Sequence, residues 1–313
     1  MGIMVVAAVL VTVLLWSSAF VVIRDVGQAL SPAPMALLRL AVAAIALTVA
    51  VLARRRRSPI ALPSPKPLVL TVFYGVLWLA GYTVALNAAE RHVDAGTAAL
   101  LVNIAPLLVA FGAGRFLGEG YPRPLIIGSL VALCGVAIIG TGVTVHRDGP
   151  GVVLSVLAAV LYSAGVLIQK AALRSVDGLT ALWLGCLAGT VVLLPWASRL
   201  FAELSVALSA GSPGAVLGGV YLGLFPTAIG FTTWSYALRR GNAGRLTATT
   251  YAVPAVSVLL SWLSLGEVPM VSGLIGGAIC LIGVAISRWT PSGGPRRIVA
   301  KRRGAGAARQ EEN

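Results

Sequence analysis

Charge is scarce in this sequence. Only 11% of the 313 residues are Asp, Glu, Lys or Arg, and just 10 are acidic. An ordinary soluble domain carries about 25%. Apolar residues make up 58%, and the mean hydropathy is +0.92. So few charges cannot cover a globule in water, so most of the surface must face lipid. Histidine and cysteine are scarce too. The two histidines, His92 and His146, make no metal-ligand spacing. Cys134, Cys186 and Cys280 sit inside apolar runs without a CxxC, so they read as small core residues. The sequence has no phosphate loop, zinc helix or nucleophile elbow. No cofactor, metal or soluble enzymology is expected.

The charge that exists is basic, +14 net, and it lies in gaps between apolar runs and in the C-terminal tail. That placement argues against a nucleic-acid face. The tail, 289–313, sets Arg296, Arg297, Lys301, Arg302, Arg303 and Arg309 among Gly, Ser and Ala. It cannot bury a core, so disorder is expected. Anionic lipid at a cytoplasmic surface would hold it loosely, by about 1 kcal/mol per basic residue.

A bilayer's apolar core, ~30 Å thick, needs ~20 apolar residues of helix. Ten runs meet that need: 3–23, 33–52, 68–89, 95–116, 125–145, 151–171, 179–198, 215–238, 246–266 and 271–287. They are apolar throughout, which excludes the alternation of a β-barrel. The first lacks the basic start and cleavage site of a signal peptide and reads as a retained helix. Of the 24 Lys and Arg, nineteen fall in alternate gaps and the tail on one side, against Arg24, Arg91, Arg147 and Arg199 on the other. The positive-inside rule then puts both termini in the cytoplasm of a bacterial inner-membrane, multi-pass protein.

Shifted by 148 residues, the chain aligns with itself without a gap; over 81–138, fifteen of 58 positions are identical. Ala95-Gly96 falls on Ala243-Gly244, Pro106 on Pro254, Leu117-Gly118-Glu119 on Leu265-Gly266-Glu267. Earlier helices match more weakly at 146, where Trp16-Ser17 falls on Tyr162-Ser163. Five helices per copy is an odd number, so the second copy enters from the opposite side. The expected fold is an all-α integral membrane protein with ten transmembrane helices, built as two inverted five-helix repeats. The expected limits are 1–147, 148–288 and the tail. Inverted repeats supply two near-equivalent gates about a central site, a geometry used for alternating access.

Trp16-Ser17-Ser18-Ala19-Phe20-Val21-Val22-Ile23-Arg24, Leu38-Arg39-Leu40, the stretch from Gly96 to Pro106 and the paired Leu-Gly-Glu motifs resemble EamA-type members of the drug/metabolite transporter superfamily. The resemblance covers residues 3 to about 287. It implies ten helices, an inward N-terminus and transport, often export, of amino acids, metabolites or toxic compounds. Arg39 has no counterpart in the second half, where Gly185 stands, an asymmetry that also resembles the family.

Arg39 is the one full charge deep in a run. It reads as a counter-charge for an anionic group such as a carboxylate, or else as a snorkelling or interhelical arginine. Pro106 and Pro254, at equivalent midpoints of the fourth and ninth runs, read as kinks bordering a cavity or as shape tuning. Trp16, Ser17, Tyr82, Asn87, Asn103, Tyr162, Trp234 and Tyr251 complete the candidate lining, with interhelical bonding the alternative for any one of them. Glu90, Glu119 and Glu267 are candidates for gating or coupling, or helix-end residues solvating turns.

These features predict a secondary, alternating-access transporter that exports a small metabolite, such as an amino acid or a lipophilic or toxic compound, across the inner membrane. Lipid flipping, a non-transporting membrane subunit and an intramembrane enzyme are the competing readings, the last weakened by the absence of clustered titratable residues. Nothing speaks to oligomeric state. No Asp, Glu or His lies in the middle of any run. Flux into proteoliposomes should therefore change little when a proton gradient is imposed; strong gradient-driven accumulation would contradict this.

Overall fold

The computed structural model describes residues 2–55, 63–92, 101–140, 149–211, 213–265 and 271–288, and every regular element among them is a helix. In lipid the backbone must satisfy its own hydrogen bonds, which an apolar run does by coiling. The helices are α1 (Ile3–Val26), α2 (Pro32–Arg55), α3 (Pro65–Ala89), α4 (Ala105–Phe116), α5 (Arg123–Gly140) and α6 (Gly149–Ala172). Then come α7 (Gly178–Leu193), α8 (Ala197–Ser209), α9 (Gly214–Arg240), α10 and α11 (Val271–Arg288). Helix α10 is compound: Ala243–Thr247, a 3-10 turn at Ala248–Tyr251, then Ala252–Leu265. Among the described residues, seven helices are long and apolar enough to cross a membrane, α7 and α8 counting together. Their outer faces and those of their neighbours carry exposed Leu14, Ile45, Phe73, Phe111, Val153 and Leu217. Such a continuous apolar exterior fits a lipid solvent.

Polar contacts tie the helix ends into two sets. At one end Arg54 of α2 pairs with Asp177 before α7 at 2.7 Å, and Lys170 of α6 donates to the Leu238 and Gly241 carbonyls at the end of α9, both at 2.6 Å. Glu119, after α4, joins the same end by accepting from the backbone N–H groups of Ala243 and Gly244. Burial alone would raise the Asp177 pKa, but bonds from Thr180 and Arg54 outweigh it and hold the carboxyl below its ordinary value. At the opposite end Glu203 of α8 accepts from the Ser31 backbone N–H at 2.7 Å and from its hydroxyl, and Asn87 donates to the Pro32 carbonyl. Helix α2 therefore finishes, and α7 starts, at the same end.

Helices α5 and α11 touch backbone to backbone. A Cβ on Gly128 would lie 2.5 Å from the Gly283 carbonyl oxygen, and one on Gly135 2.6 Å from that of Gly276. As the first helix advances from 128 to 135 its partner retreats from 283 to 276, so the two run antiparallel. Gly276 and Gly283 are the repeat equivalents of Gly128 and Gly135. Between them the Cys280 thiol lies 3.4 Å from the carbonyl of Ala132, its own equivalent. A contact between equivalent residues marks a local two-fold axis.

Two expectations change. The run at 179–198 stops at Leu193; Leu194–Trp196 is a 3-10 turn, and Pro195, with no N–H to give, helps end the helix. Beyond the turn the chain forms the amphipathic α8, exposing Phe201 and Val206 beside Arg199 and Glu203. The prolines also differ from their expected midpoint positions. Pro106 stands in the first turn of α4, after a break at Asn103-Ile104, and Pro254 in the first turn after the 3-10 segment. At the start of α4 the N–H missing at Pro106 has no intrahelical partner to lose. Glu267, the Ala95-Gly96 pair and the tail lie outside the described residues.

Crowding of the α5–α11 contact predicts that Gly283→Ala destabilises the protein. The added Cβ would collide with the Ala132 nitrogen and sit 2.6 Å from the Gly128 oxygen. Overpacking of this kind costs about 1–3 kcal/mol. Gly149→Ala, with nothing within 4 Å of the new Cβ, is the control. Thermal unfolding in detergent should separate the two; equal melting temperatures would contradict the close contact.

Candidate functional site

The two repeats share their distortions. Helix α3 widens to a π-helix over Gly75–Tyr82, and α9 does so over Gly223–Ile229, beginning 148 residues later. Each π-segment packs its first glycine against another helix's backbone. A Cβ on Gly75 would collide with the Gly185 carbonyl oxygen of α7, and one on Gly223 would lie 2.8 Å from that of Arg39 in α2. Gly185 and Arg39 are themselves repeat equivalents. The break before α4 and the 3-10 turn inside α10 likewise fall at matching positions. π-bulges and interrupted helices at matching places in two repeats commonly border a ligand site.

These irregular segments surround one cavity of about 100 Å³. The measure admits several waters, at roughly 10–15 Å³ each. Trp16, Phe20 and Ile23 enter from α1, Arg39 from α2, and Trp78, Tyr82 and Asn87 from α3. Asn103 and Pro106 come from the α4 region, Tyr162 from α6, Phe231 from α9, and Thr250 and Pro254 from α10. Trp78 is central to an aromatic cluster, its ring 4.9 Å from Tyr162, 5.1 Å from Phe231 and 6.2 Å from Trp16. Beneath these rings, toward the Lys170 end, Trp234 donates to Gln169 at 3.1 Å and Gln169 donates to Ser235 at 2.9 Å. That buried amide network and the Lys170 bonds close the bundle on this side. Asn87 lines the cavity and also bonds Pro32 near Glu203, so the cavity reaches toward the opposite end.

Of the described residues that line the cavity, Arg39 alone is charged. Its Nε–H donates to the Thr227 hydroxyl at 2.5 Å. No carboxylate among the described residues pairs with it. Asn87 is 5% exposed, donates through Nδ2, and leaves its Oδ1 without a hydrogen-bond partner. An unpaired buried acceptor costs about 1–3 kcal/mol, which a ligand donor would recover.

Trp16, Arg39, Tyr82, Asn87, Asn103, Pro106, Tyr162 and Pro254 thus share one wall system. Three sequence candidates stand outside it. Ser17 donates to the Val253 carbonyl at 3.1 Å, fixing α1 to α10. Trp234 lies under the aromatic floor, its ring 5.1 Å from Trp16. Tyr251 is fully buried in a second core with Ala110, Leu125, Ala132 and Cys280. Glu90 is the C-terminal cap residue of α3. Glu119 caps α10, accepting at 2.7 Å from Ala243 N–H and at 3.2 Å from Gly244 N–H. Trp78, Phe231 and Thr227 escaped the sequence reading. Carrying the 148-residue comparison back to Gly75 and Gly223 would have marked their segments.

Residues 3–141 and again 149–289 match the EamA-like transporter family. The chain belongs to that family. This EamA-like protein is a multi-pass membrane transporter of small molecules built from two repeats. It is 36% identical over 303 residues, 95% of each chain, to a Streptantibioticus cattleyicolor protein named "Probable terminal-alkyne amino-acid exporter". A Bacillus subtilis relative, "Uncharacterized transporter YdfC", is 30% identical over 87% of each chain. The "Aromatic amino acid exporter YddG" of Ancylobacter novellus is 27% identical over 68% of this chain and 74% of its own. A crystal structure 22% identical, covering 91% of this chain and 96% of that one, has a TM-score of 0.72 and supports the fold.

A carboxylate at a helix N-terminus stabilises it through hydrogen bonds and the helix dipole. Glu119→Ala should lower stability by about 0.5–2 kcal/mol, with Glu119→Gln between it and the parent because the amide keeps one acceptor. Unfolding in detergent would measure this, and an unchanged midpoint for Glu119→Ala would deny the cap its role.

Proposed function

We propose that this transporter exports apolar amino acids from the bacterial cytoplasm by alternating access. Ten membrane spans, threaded as two inverted five-helix repeats, form the carrier. The shared end of α2, α6 and α9 is cytoplasmic, which the excess of Lys and Arg there supports. Helix α2 finishing where α7 starts supports the inversion. On this reading the structure is an outward-facing state. Glu119 on α10, Lys170 on the α9 end and the Gln169 network make the inner seal.

One observation carries the substrate class: a single guanidinium in an otherwise uncharged, aromatic cavity. One arginine matches one carboxylate. A sugar phosphate, with two or more charges, would ask for further fixed cations. Asn87 Oδ1 and the faces of Tyr82 and Tyr162 suit an ammonium group. Trp16, Trp78 and Phe231 offer an apolar seat for the side chain. The names of two relatives, amino-acid exporters, support the same class.

The test is binding in nanodiscs of L-phenylalanine, its amide and the corresponding amine. The zwitterion should bind, and Arg39→Gln should weaken it by about tenfold or more, since a hydrogen bond to a charged group is worth about 1.5–3 kcal/mol. Equal binding of acid and amide, or saturation by a lipid-linked amphiphile instead, would sink the proposal.

A further inference from the structure

We infer that Thr227, which does not line the cavity, is the positioning residue that sets the guanidinium of Arg39 to receive a carboxylate, and so fixes the ligand's orientation. The inference rests on the substrate class proposed above. Its basis is a short chain of bonds inside α9. In an α-helix the Leu222 carbonyl would accept from the N–H four residues on, but that residue is Pro226, which has none. The π-register leaves room for Thr227 instead, and its hydroxyl donates to Leu222 O at 2.7 Å. A hydroxyl has one proton and two lone pairs. With the proton committed, a lone pair must face outward, and Arg39 Nε–H meets it at 2.5 Å. Thr227 is fully buried, so this bond is shielded from water. The Nε edge of the guanidinium is thereby held against α9. Its two terminal amino groups have no hydrogen-bond partner among the described residues and are left to the cavity, as a fork matched to a carboxylate.

The repeat supplies an internal control. The residue 148 positions before Thr227 is Leu79, and the residue matching Arg39 is Gly185. These two also stand together: a Cβ on Gly185 would lie 3.3 Å from Leu79 Cδ1 and 2.8 Å from the Tyr74 ring. The same packing thus holds a polar pair in one place and an apolar pair in the other. Arginine and threonine occur together, and where the arginine is absent the threonine is absent too. In α3 the residue matching Pro226 is Trp78, so the first repeat lacks the arginine, the threonine and the proline that turns the threonine's hydroxyl to the Leu222 carbonyl.

The experiment compares Thr227→Val, which keeps the shape and loses the hydroxyl, with Thr227→Ser, which keeps the hydroxyl. Binding of L-phenylalanine in nanodiscs should weaken about tenfold or more in Thr227→Val and return toward the parent in Thr227→Ser, the loss expected for one charge-assisted bond. Binding of L-phenylalaninamide, already weak, should not change further. A purely structural role would weaken acid and amide alike, and that result would overturn the inference. A second measurement needs no ligand: the Nε–H signal of Arg39 in ¹⁵N-arginine-labelled protein, assigned with Arg39→Lys. Slow proton exchange in the parent and Thr227→Ser, and fast exchange in Thr227→Val, is expected; equal exchange in all three would overturn the positioning role. If the parent fails to bind L-phenylalanine, the substrate class falls, and the exchange rates still decide the role of Thr227.

Discussion

The fold depends on helices approaching until their backbones touch, which only glycine permits. Gly128, Gly135 and Gly283 do this between α5 and α11; Gly75 and Gly223 do it where the π-segments meet α7 and α2. In lipid no hydrophobic effect drives helices together, so dispersion across a close interface must supply much of the association. A single methyl at any of these positions would push two backbones apart. Because the glycines come as repeat equivalents, the same constraint that glues the halves also relates them by a local two-fold axis.

The site grows out of that constraint. When a π-segment's glycine seats on a neighbouring helix, the helix carrying it is widened and its carbonyls are displaced from their usual partners. Both halves carry this distortion, and both point aromatic residues from it toward the centre: Trp78 from α3 and Phe231 from just beyond the α9 segment. The breaks before Pro106 and Pro254 add irregular backbone from two more helices. Irregular backbone inside a membrane is tolerated where protein or a wet cavity surrounds it. The cavity and the distortions therefore belong to one design, repeated twice.

Much of this was legible in the sequence, and the reasons for the rest are physical. The 148-residue register, the lone Arg39 and the polar residues Asn87, Asn103 and Tyr162 stood out because charge and amides are costly in apolar runs. Trp78 did not, because a tryptophan inside such a run reads as core or interface. Tyr251 shares its repeat position with Asn103 yet faces a different core, because a 3-10 turn rotates it away from the direction a regular helix would give. Helix α8 was hidden by its amphipathic period, too polar for a span and too short to announce itself. Thr227 was hidden most deeply. Its importance lies in what Pro226 takes from Leu222, a relation that appears only once the π-register is known.

Symmetry alone would give a cavity with two like ends and no preferred ligand direction. Here equivalent places in the repeats differ by a pair of residues, Arg39 with Thr227 against Gly185 with Leu79, and only the first presents a charge to the cavity. Arg39 belongs to the first repeat and Thr227 to the second, so the bond that creates polarity also crosses between the halves. Glu119 on Ala243 and Gly244 crosses in the same sense. Any motion that reopened the bundle at the Glu119 end would have to break the Glu119 contacts while leaving α2 and α9 packed through Gly223, or the guanidinium would lose its orientation as access changed. Gly223 seats on α2 so closely that an added Cβ would meet both the Val42 side chain and the Arg39 carbonyl, and that seat is the arrangement that lets those two helices travel together.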